Sequence, residues 1–474
     1  MPVDLSKLKP TIGLEIHAEL ATKTKMFCSS RNDPDEKRPN VNVCPVCLAH
    51  PGTLPVINRE AVRQVLRVGL AVGGAIADFT QFDRKSYFYP DIPKGYQISQ
   101  YQYPLVRGGT VAQVALTRIH LEEDTGSLSH DDQTGESLID FNRAGVPLLE
   151  LVTEPVIESG SQAAAMARDF QLLLRYLGAS YANMEKGEMR VEANISLGLG
   201  TKVEIKNLNS FQSVEKAIAY EIERQTLARE RGEIVMQETR GWDEVKEVTF
   251  SQRQKESAHD YRYFPEPDLP PLKINEVAEW RDLAATLPEL PWTKRERYLG
   301  YGFKPDEAEI YVTNFALANL FEQTDRELGA DNSSRKLIGN YLTTDLWGQI
   351  KDRVDSVEKL SKIRPADLAA VVKMAANGKI SSRGAKNLIT LLVVGKTDAE
   401  ALASSEGLWQ KSDETELAKF VDQVLVEHPA VVADYRAGKM SALQFLVGQA
   451  MKLSAGSANP QALAKLLRTA LDGT

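Results

Sequence analysis

The sequence predicts a fold of mixed class in which strands come first and helices follow. Residues 11–265 contain short runs that alternate apolar and polar side chains, the period-two pattern of half-buried strands. Beyond residue 291 the apolar residues recur at helical spacing, and a proline-rich stretch at 265–271 separates the two parts. With 474 residues the chain is long enough for two or three domains, each with its own core.

The clearest strand prediction is residues 11–20. Apolar residues there alternate with Gly13, Glu15, His17 and Glu19, so that one face is apolar and the other carries two carboxylates and an imidazole. Side chains on the same face of a strand lie about 6.5–7 Å apart. Such a row can hold a divalent cation or move a proton, although this segment alone fits a solvated strand face equally well.

The same pattern recurs twice further along the chain. Residues 188–206 predict a hairpin with a three-residue loop at 198–200 and one strongly polar face. The run 118–124 adds three acidic residues and a histidine within seven positions. Because these faces collect the residue types that bind metal ions, phosphate and ribose, the repetition favours a functional site over a solvated surface.

Helices are expected at two places in the strand-rich part, residues 161–178 and 211–231. Residues 207–210 supply N-cap side chains for the second, and a helix N-terminus favours an anion. Another hairpin is predicted at 241–253. In the helical part, the expected helices are 306–328, 334–350, 365–376, 382–392, 416–427, 441–453 and 460–471.

Composition and charge limit the classes of function. A net charge of −8 excludes a protein that coats nucleic acid over its whole surface, but residues 430–474 hold five basic and two acidic side chains, a local net charge of +3. No run of about 18 apolar residues exists, so we expect no transmembrane helix and a cytoplasmic protein. The P-loop, Rossmann, H-E-x-x-H and nucleophile-elbow motifs are absent, so any ATP must bind to an open sheet.

The three cysteines do not form a disulfide framework, because their number is small and odd. Cys44 and Cys47 have the C-x-x-C spacing of a zinc knuckle, and Cys28 is a candidate third thiolate. Asp33 and His50 are candidates for a fourth ligand. The alternative is three reduced thiols in an ordered loop.

Loops between the strands carry further functional residue types. Residues 83–91 offer two cations, tyrosines and two acids, and residues 140–150 place Arg143 and Glu150 around a turn. Residues 259–264 interleave aromatic and basic side chains, a pattern suited to stacking bases while contacting phosphate. Taken together, these loops are hard to explain as scaffold.

Motifs across nearly the whole chain resemble the B-subunit family of the aspartyl/glutamyl-tRNA(Asn/Gln) amidotransferases, the GatCAB complexes. They occur in the family's order, and motifs of this length are highly specific. The matching segments are residues 12–20, 44–55, 82–100, 118–126, 140–155, 189–196, 204–211, 259–271 and 445–467.

The resemblance implies an α+β fold and a three-part organisation. We expect a catalytic cradle domain around an antiparallel β-sheet at residues 1–292, an all-α helical domain at 293–405 and a small helical tail domain that binds tRNA at 406–474. Members of the family use ATP and Mg²⁺ to phosphorylate the side-chain carboxylate of Glu or Asp misacylated on tRNA. Ammonia then displaces the phosphate.

The implied partners follow from that activity. They are an amidase A subunit that releases ammonia from glutamine, a small C subunit, the misacylated Glu-tRNA(Gln) and Asp-tRNA(Asn), and the cognate non-discriminating aminoacyl-tRNA synthetase. No membrane is implied. A non-catalytic tRNA-binding scaffold is the alternative, but it leaves the clustered Glu and His side chains unexplained, because carboxylates repel phosphate unless a cation intervenes.

The resemblance also assigns site residues. For Mg²⁺ these are Glu15, His17, Glu123, Glu150 and Glu192, the last in place of a family aspartate. From their charge, we expect Lys85, Arg143 and Lys206 to neutralise the transferred or leaving phosphate. From the aromatic, basic and N-cap patterns described above, the candidates for contacts with tRNA or ATP are Tyr87, Tyr89, Asn207, Asn209, Ser210 and Arg262.

Zinc is the least supported cofactor. Zinc-binding members of the family pair a C-x-C motif with the C-x-x-C motif, whereas this chain has Ser30 where the second thiol of C-x-C would be. Three thiolates, Cys28, Cys44 and Cys47, make a labile site at best, so we expect substoichiometric zinc.

Overall fold

The computed structural model divides the chain into two compact units, Met1–Pro291 and Trp292–Thr474. The residues that it describes are 9–86, 88–131, 133–198, 200–254, 261–329, 332–353, 355–410, 413–454 and 456–472. Strands predominate in the first unit and helices make up the second, which confirms the predicted fold class. Whether the second unit divides again near residue 405 stays a prediction.

A ten-stranded sheet is the frame of the first unit. Its order is β15-β14-β13-β12-β1-β11-β8-β6-β2, with β7 paired to β8, and neighbours are antiparallel except β13 and β14. The strands of the chain are β1 Pro10–Glu19, β2 Ala75–Ile76, β3 Phe79–Thr80, β4 Asp83–Ser86, β5 Tyr96–Ser99, β6 Val106–Arg107, β7 Thr110–Val111, β8 Val114–Glu123, β9 Ser127–His130, β10 Ser137–Asp140, β11 Pro147–Thr153, β12 Met189–Leu197, β13 Val203–Leu208, β14 Glu238–Asp243, β15 Val248–Gln254, β16 Phe264–Pro265 and β17 Leu272–Lys273.

The apolar face of this sheet carries the core of the unit. Ile12, Leu14, Ile16 and Ala18 of β1 are completely buried, as the alternation in the sequence predicts. Three helices pack in this unit: α1 (Arg59–Ala71), α2 (Gly160–Tyr176) and α3 (Phe211–Glu230). Helix α1 contacts β8, α3 contacts β12, β13 and β15, and α2 packs on α3.

The sequence analysis predicted α2 and α3 but missed α1. Its start signal was present, because the side chain of Asn58 accepts hydrogen bonds from the backbone N–H groups of Glu60 and Ala61. Three valines and one glycine within the helix lower its intrinsic propensity, although its buried residues recur at helical spacing. Packing against the sheet overrides that weakness. The hairpin predicted at 188–206 forms from β12 and β13, but its loop is longer than three residues because β13 begins at Val203.

Helices make up nearly all of the regular structure of the second unit. The helix predicted at 306–328 is two helices, because Asn314 is extended (φ −116°, ψ 96°) and caps the next helix by accepting from Leu317 N. The bounds are α4 Pro291–Gly300, α5 Pro305–Thr313, α6 Phe315–Leu328, α7 Asn332–Asn340, a π-helical turn Tyr341–Trp347, α8 Gly348–Ile350, α9 Ser356–Lys362, α10 Pro365–Ala376, α11 Ser382–Val393, α12 Ala399–Ser405, α13 Glu414–Glu427, α14 Pro429–Arg436, α15 Ser441–Leu453 and α16 Pro460–Asp472.

The last four helices share one apolar core. Leu417 and Val424 of α13, Leu446 of α15, and Leu463 and Leu467 of α16 are fully buried in it. The sequence predicted three of these helices and missed α14, which begins at Pro429. Among the described residues, no helix has the length and apolarity needed to cross a bilayer.

Gly160 should be sensitive to substitution because α2 and α3 approach closely there. A Cβ atom at Gly160 would overlap the backbone carbonyl of Glu215, which cannot move without shifting α3. We expect Gly160→Ala to lower the free energy of unfolding by about 1–3 kcal/mol, measured by urea denaturation. Ala165→Ser, at an exposed position of the same helix, is the matched control and should change it by less than about 0.5 kcal/mol. Equal stability of the two variants would contradict the close packing.

Candidate active site on the polar sheet face

Strand pairing gathers the polar side chains of distant segments on one face of the sheet. In β1, His17 lies opposite Glu150 of β11, and Glu15 lies opposite Glu192 of β12. His120 of β8 in turn lies opposite Glu150. Directly opposed residues of antiparallel strands point to the same side and place their Cβ atoms about 4.5–5.5 Å apart. The predicted rows of acids and histidines therefore form one continuous surface.

The first cluster on this face is His17, Glu122 and Glu150. The Nε2 atom of His17 lies 3.5 Å from Glu150 Oε2 and 3.7 Å from Glu122 Oε1. A second imidazole, His120, places Nε2 3.2 Å from Glu150 Oε2, and Arg118 Nη2 lies 3.8 Å from Glu150 Oε1. Glu122, Glu150 and His120 are buried, so water screens these charges poorly.

Electrostatics hold this cluster in a defined protonation state. Burial disfavours the charged form of His17, but its hydrogen bond with Glu150 and the carboxylates of Glu150 and Glu122 outweigh burial and raise its pKa to about 9. Burial likewise opposes the charge of Glu150, yet His120 and His17 hold its pKa well below the usual range. At neutral pH, His17 is therefore an imidazolium ion beside ionised Glu150.

The second cluster is Glu15, Glu192 and Glu204. The Nζ atom of Lys206 lies 3.0 Å from Glu192 Oε2 and 3.6 Å from Glu204 Oε1. Asn194 Nδ2 donates to Glu15 Oε1 at 2.9 Å. Burial and the carboxylates of Glu150 and Glu192 raise the pKa of Glu15. Lys206 therefore supplies a positive charge to Glu192 and Glu204.

Both clusters fit a divalent cation by their donor sets. In each, one ligand atom from every member lies within 4.8 Å of the others. The second set is all oxygen, which suits Mg²⁺, and the first adds an imidazole, a less usual Mg²⁺ ligand. The buried Nδ1 of His120 and Oδ1 of Asn194 have no hydrogen-bond partner within the described structure, so donor and acceptor capacity beside both sets is unused.

The structure places Glu122, not Glu123, beside His17 and Glu150. The side chain of Glu123 lies on the opposite face of β8. There its carboxylate binds Lys94 Nζ at 2.5 Å and accepts a hydrogen bond from Ile98 N at 2.9 Å. By geometry Glu122 is therefore the glutamate of β8 that can share an ion with His17 and Glu150, and a metal role for Glu123 stays a prediction. The signal was available, because period two puts Glu122 on the face of His120.

Arg143 lies at the edge of this face with its guanidinium already engaged. It donates to the carbonyls of Thr125 at 3.1 Å and Gly126 at 2.9 Å, and its Nε lies 3.7 Å from Asp124 Oδ2. Arg190, which the sequence analysis did not single out, donates to Asp124 at 2.8 Å. These contacts make Arg143 a residue that orders the loop after β8 as well as a candidate for binding phosphate.

An aromatic group borders the first cluster. Tyr101 and Tyr263 stack with ring centroids 4.5 Å apart, and Lys85 Nζ lies 5.0 Å from the centroid of Tyr261. Burial raises the pKa of Tyr263 to about 12, and the charges of Lys85, Glu122 and Glu150 act on it as well, which places this ring near the acids. Tyr101 and Tyr263 are aromatic candidates that the sequence analysis did not name.

Of the remaining residues predicted to contact tRNA or ATP, four are exposed and one caps a helix. Tyr89, Asn207, Asn209 and Arg262 are exposed, and Asn207 and Arg262 have left-handed backbones (φ 63° and 45°). Ser210 is the N-cap of α3 and accepts from Ser213 N, as the sequence predicted. Tyr87, His259 and Asp260 lie outside the described residues.

The three cysteines come together on a different part of the unit. Their sulfur atoms lie within 4.8 Å of one another, with Cys44 and Cys47 3.8 Å apart. Neither Asp33 nor His50 joins this group in the described structure. Beside Cys47 Sγ stand instead the hydroxyl of Ser30 and the ammonium of Lys25, each at 3.8 Å. With no fourth ligand and a cation in contact, the cluster does not fit a closed zinc site.

Comparison with known proteins shows the family. The model of the GatB/GatE catalytic domain matches residues 10–279, and that of the GatB domain matches residues 319–471. Curated relatives in Thermomicrobium roseum and Herpetosiphon aurantiacus are 44% and 42% identical, over 98% and 99% of this chain and 99% and 100% of their own lengths. A relative in Dehalococcoides mccartyi is 42% identical over 99% of this chain and 100% of its own.

Each of these relatives is named as the B subunit of an aspartyl/glutamyl-tRNA(Asn/Gln) amidotransferase. The chain therefore belongs to this family of amidotransferase subunits, and the resemblance carried by its motifs is confirmed.

Neighbouring glutamates of β8 should behave oppositely when each is made neutral. Glu122→Gln removes a carboxylate from the His17 cluster, and we expect Mg²⁺ affinity to fall at least about 10-fold in calorimetric titration. Glu123→Gln should leave affinity within about two-fold but lower stability by about 1–3 kcal/mol, because the neutral amide removes the charge beside Lys94 and keeps only one acceptor oxygen for Lys94 and Ile98 N–H. The reverse pattern would return Glu123 to the metal cluster.

Metal binding by the His17 cluster should release a proton. With the pKa of His17 raised to about 9, the imidazole is protonated at pH 7.5, and it must lose this proton before its nitrogen can bind a metal ion. Apparent Mg²⁺ affinity should therefore increase as pH rises towards 9, with nearly one proton released per ion at pH 7.5. Titrations in two buffers of different ionisation enthalpy measure this release. His17→Asn keeps an oxygen ligand but should abolish the release, and an unchanged release in that variant would exclude His17 as its source.

Proposed function

We propose that this chain uses ATP to phosphorylate the side-chain carboxylate of Glu-tRNA(Gln), Asp-tRNA(Asn) or both, and that ammonia then displaces the phosphate to give Gln-tRNA(Gln) or Asn-tRNA(Asn). The observation that carries the proposal is the sheet face itself. On it, two donor sets for divalent cations lie on adjacent strands, with Lys206 and Arg118 beside them. Family membership supports the same activity.

The chemistry explains why such a face is needed. A carboxylate is a poor acylating agent, because ammonia would have to expel an oxide ion. Phosphorylation converts that oxygen into a leaving group. Phosphoryl transfer asks the protein chiefly for positioning and for neutralisation of the charge on the phosphate oxygens.

Named side chains meet these two demands. Glu15, Glu192 and Glu204, and separately His17, Glu122 and Glu150, would hold Mg²⁺, which when bound neutralises phosphate oxygens. Lys206 is held between Glu192 and Glu204, whose charges, against the effect of burial, raise its pKa, so that it stays cationic and available to an incoming phosphate.

Arg118 serves the other side of the same face. Its Nη2 atom lies 3.8 Å from Glu150 Oε1, and about a quarter of the side chain is exposed. Lys85 lies near the tyrosines, and Arg143 orders the loop at the edge of the face. The three cations surround the carboxylate clusters and offer phosphate several alternative contacts.

The aromatic group beside the acids supports binding of a base. Tyr101, Tyr261 and Tyr263 present ring faces and edges next to Lys85, an arrangement that stacks nucleobases while a cation meets phosphate. Tyr89, four residues after Lys85 of β4, is exposed. We propose that the adenine of ATP or the terminal adenosine of tRNA stacks on these tyrosines.

The partners follow from the reaction. Ammonia has to come from an amidase A subunit, with a small C subunit in the same complex, and the acceptor is the misacylated tRNA that the cognate non-discriminating synthetase makes. We place the reaction in the cytoplasm and assign tRNA-phosphate contacts to the tail, residues 406–474, whose basic part is residues 430–474 and whose last helices share one core.

Activation and glutamine hydrolysis should separate in mutants. In the complex reconstituted with the A and C subunits, Glu150→Gln and His17→Ala should lower ATP-dependent amidation of Glu-tRNA(Gln) and Asp-tRNA(Asn) by about 100-fold or more, because each removes a ligand of the phosphate-neutralising cation. Glutamine hydrolysis should persist at least in part.

Glu158→Gln is the matched control, an exposed acid paired only loosely with Lys9, and should keep full activity. Full amidation by either site variant would leave the chain a non-catalytic scaffold that presents tRNA to its partner.

A further inference from the structure

Lys25 is a buried ammonium beside sulfur. Its side chain is completely buried, and its Nζ donates to the carbonyl of Phe141 at 3.1 Å and lies 3.8 Å from Cys47 Sγ. Within the described residues no Asp or Glu forms an ion pair with it. A buried ammonium without a counter-charge is costly, so the nearest group able to become an anion, the Cys47 thiol, is its natural partner.

The surroundings of Cys47 stabilise a thiolate. The backbone N–H of Cys44 donates to Cys47 Sγ at 3.1 Å, and the hydroxyl of Ser30 lies 3.8 Å away. Hydrogen bonding from Cys28 lowers the pKa of Cys47, as do the Cys44 N–H and the charge of Lys25, all against burial. Burial lowers the pKa of Lys25 and the neighbouring sulfur atoms counteract this, which couples the two charges.

Cys47 is reachable and has a second thiol in contact. It lines a cavity of about 180 Å³ together with Cys28, His50 and Lys94, which is ample room for a molecule as small as a peroxide. Cys44 Sγ lies 3.8 Å from Cys47 Sγ. A low-pKa thiolate with access and a neighbouring thiol is the arrangement of oxidant-sensitive cysteines. Since the cluster does not fit zinc, these sulfur atoms are free for such chemistry.

We propose that Cys47 is a modification site, a thiolate that hydrogen peroxide oxidises and that Cys44 then resolves into a disulfide. In the first step, the Cys47 sulfur forms a bond to one peroxide oxygen while the O–O bond breaks. The sulfur becomes a sulfenic acid, and the departing hydroxide takes a proton to become water. In the second step, the Cys44 sulfur bonds to Cys47, the S–O bond breaks, and a second water leaves. Overall, two thiols and one peroxide give one disulfide and two waters.

Oxidation of Cys47 would also affect residues outside the cysteine cluster. It removes the negative charge opposite Lys25, and Lys25 also holds the carbonyl of Phe141, two residues before Arg143. Arg143 in turn binds the carbonyls of Thr125 and Gly126 after β8. The modification is therefore connected, through Lys25 and then through the segment Phe141–Arg143, to the loop that borders the polar sheet face, although it does not depend on the function proposed for that face.

The full-length chain allows a direct count, because it contains only three cysteines. Purified protein is treated with a few equivalents of hydrogen peroxide, unfolded with N-ethylmaleimide present, and weighed by intact-protein mass spectrometry. We expect the number of alkylated cysteines to fall from three to one, and peptide mapping to show Cys44 linked to Cys47. Zinc in the same sample is measured by elemental analysis. Three alkylated cysteines after peroxide, or stoichiometric zinc, would overturn the proposal.

Variants assign the roles within the cluster. Cys28→Ser should still form the disulfide, whereas Cys44→Ser should stop at a sulfenic acid on Cys47 that dimedone traps. Cys47→Ser should lose peroxide reactivity, and its persistence there would contradict the assignment. Lys25→Met should slow thiol loss about ten-fold near neutral pH, with Lys23→Met, an exposed lysine two residues away, as the unaffected control. If circular dichroism shows that Lys25→Met does not fold, the cysteine variants decide alone.

Discussion

The pairing of β1 with β11 on one side and β12 on the other is the constraint on which the rest of the site depends. It sets His17 against Glu150 and Glu15 against Glu192, and the next strands add Glu122 and Glu204. The apolar residues that alternate with these acids are fully buried beneath the sheet. Because a slip of one residue would turn every side chain of a strand to the other face, the buried core and the polar site specify the same register.

Charge balance is the second requirement of this face. The two clusters on it hold five carboxylates, with the imidazoles of His17 and His120, and the cations paired with these clusters, Lys206 and Arg118, do not neutralise them all. In the protein alone, protons reduce the negative charge, because the pKa values of His17 and Glu15 are both raised. Acids and imidazoles that stay protonated when no metal ion is bound can exchange these protons for a cation, so the surface suits cations and the phosphates bound to them.

The sequence alone predicted which residues share a face but not which strands are neighbours. Alternation placed Glu15 and His17 together, and it would have placed Glu122 with His120 had parity been followed. Which strand lies beside β1 is fixed by contacts between residues far apart in the chain, and no local pattern encodes them. Helix α1 was missed although its buried residues recur at helical spacing, and the break at Asn314 was missed because one cap residue decides it. The buried lysine beside Cys47 has no local sequence signal at all.

The origin of the six donors on five different strands also ties ligand binding to the stability of the whole sheet. Neither cluster exists in an unfolded chain, since the first needs β1, β8 and β11 together and the second needs β1, β12 and β13. A divalent ion that binds only the assembled face therefore shifts the folding equilibrium by mass action, by about 2.7 kcal/mol when its concentration is a hundred times its Kd. The first unit should then be least resistant to heat and proteases when magnesium is scarce. The ion level of the cell would set the lifetime of the protein as well as its readiness to act.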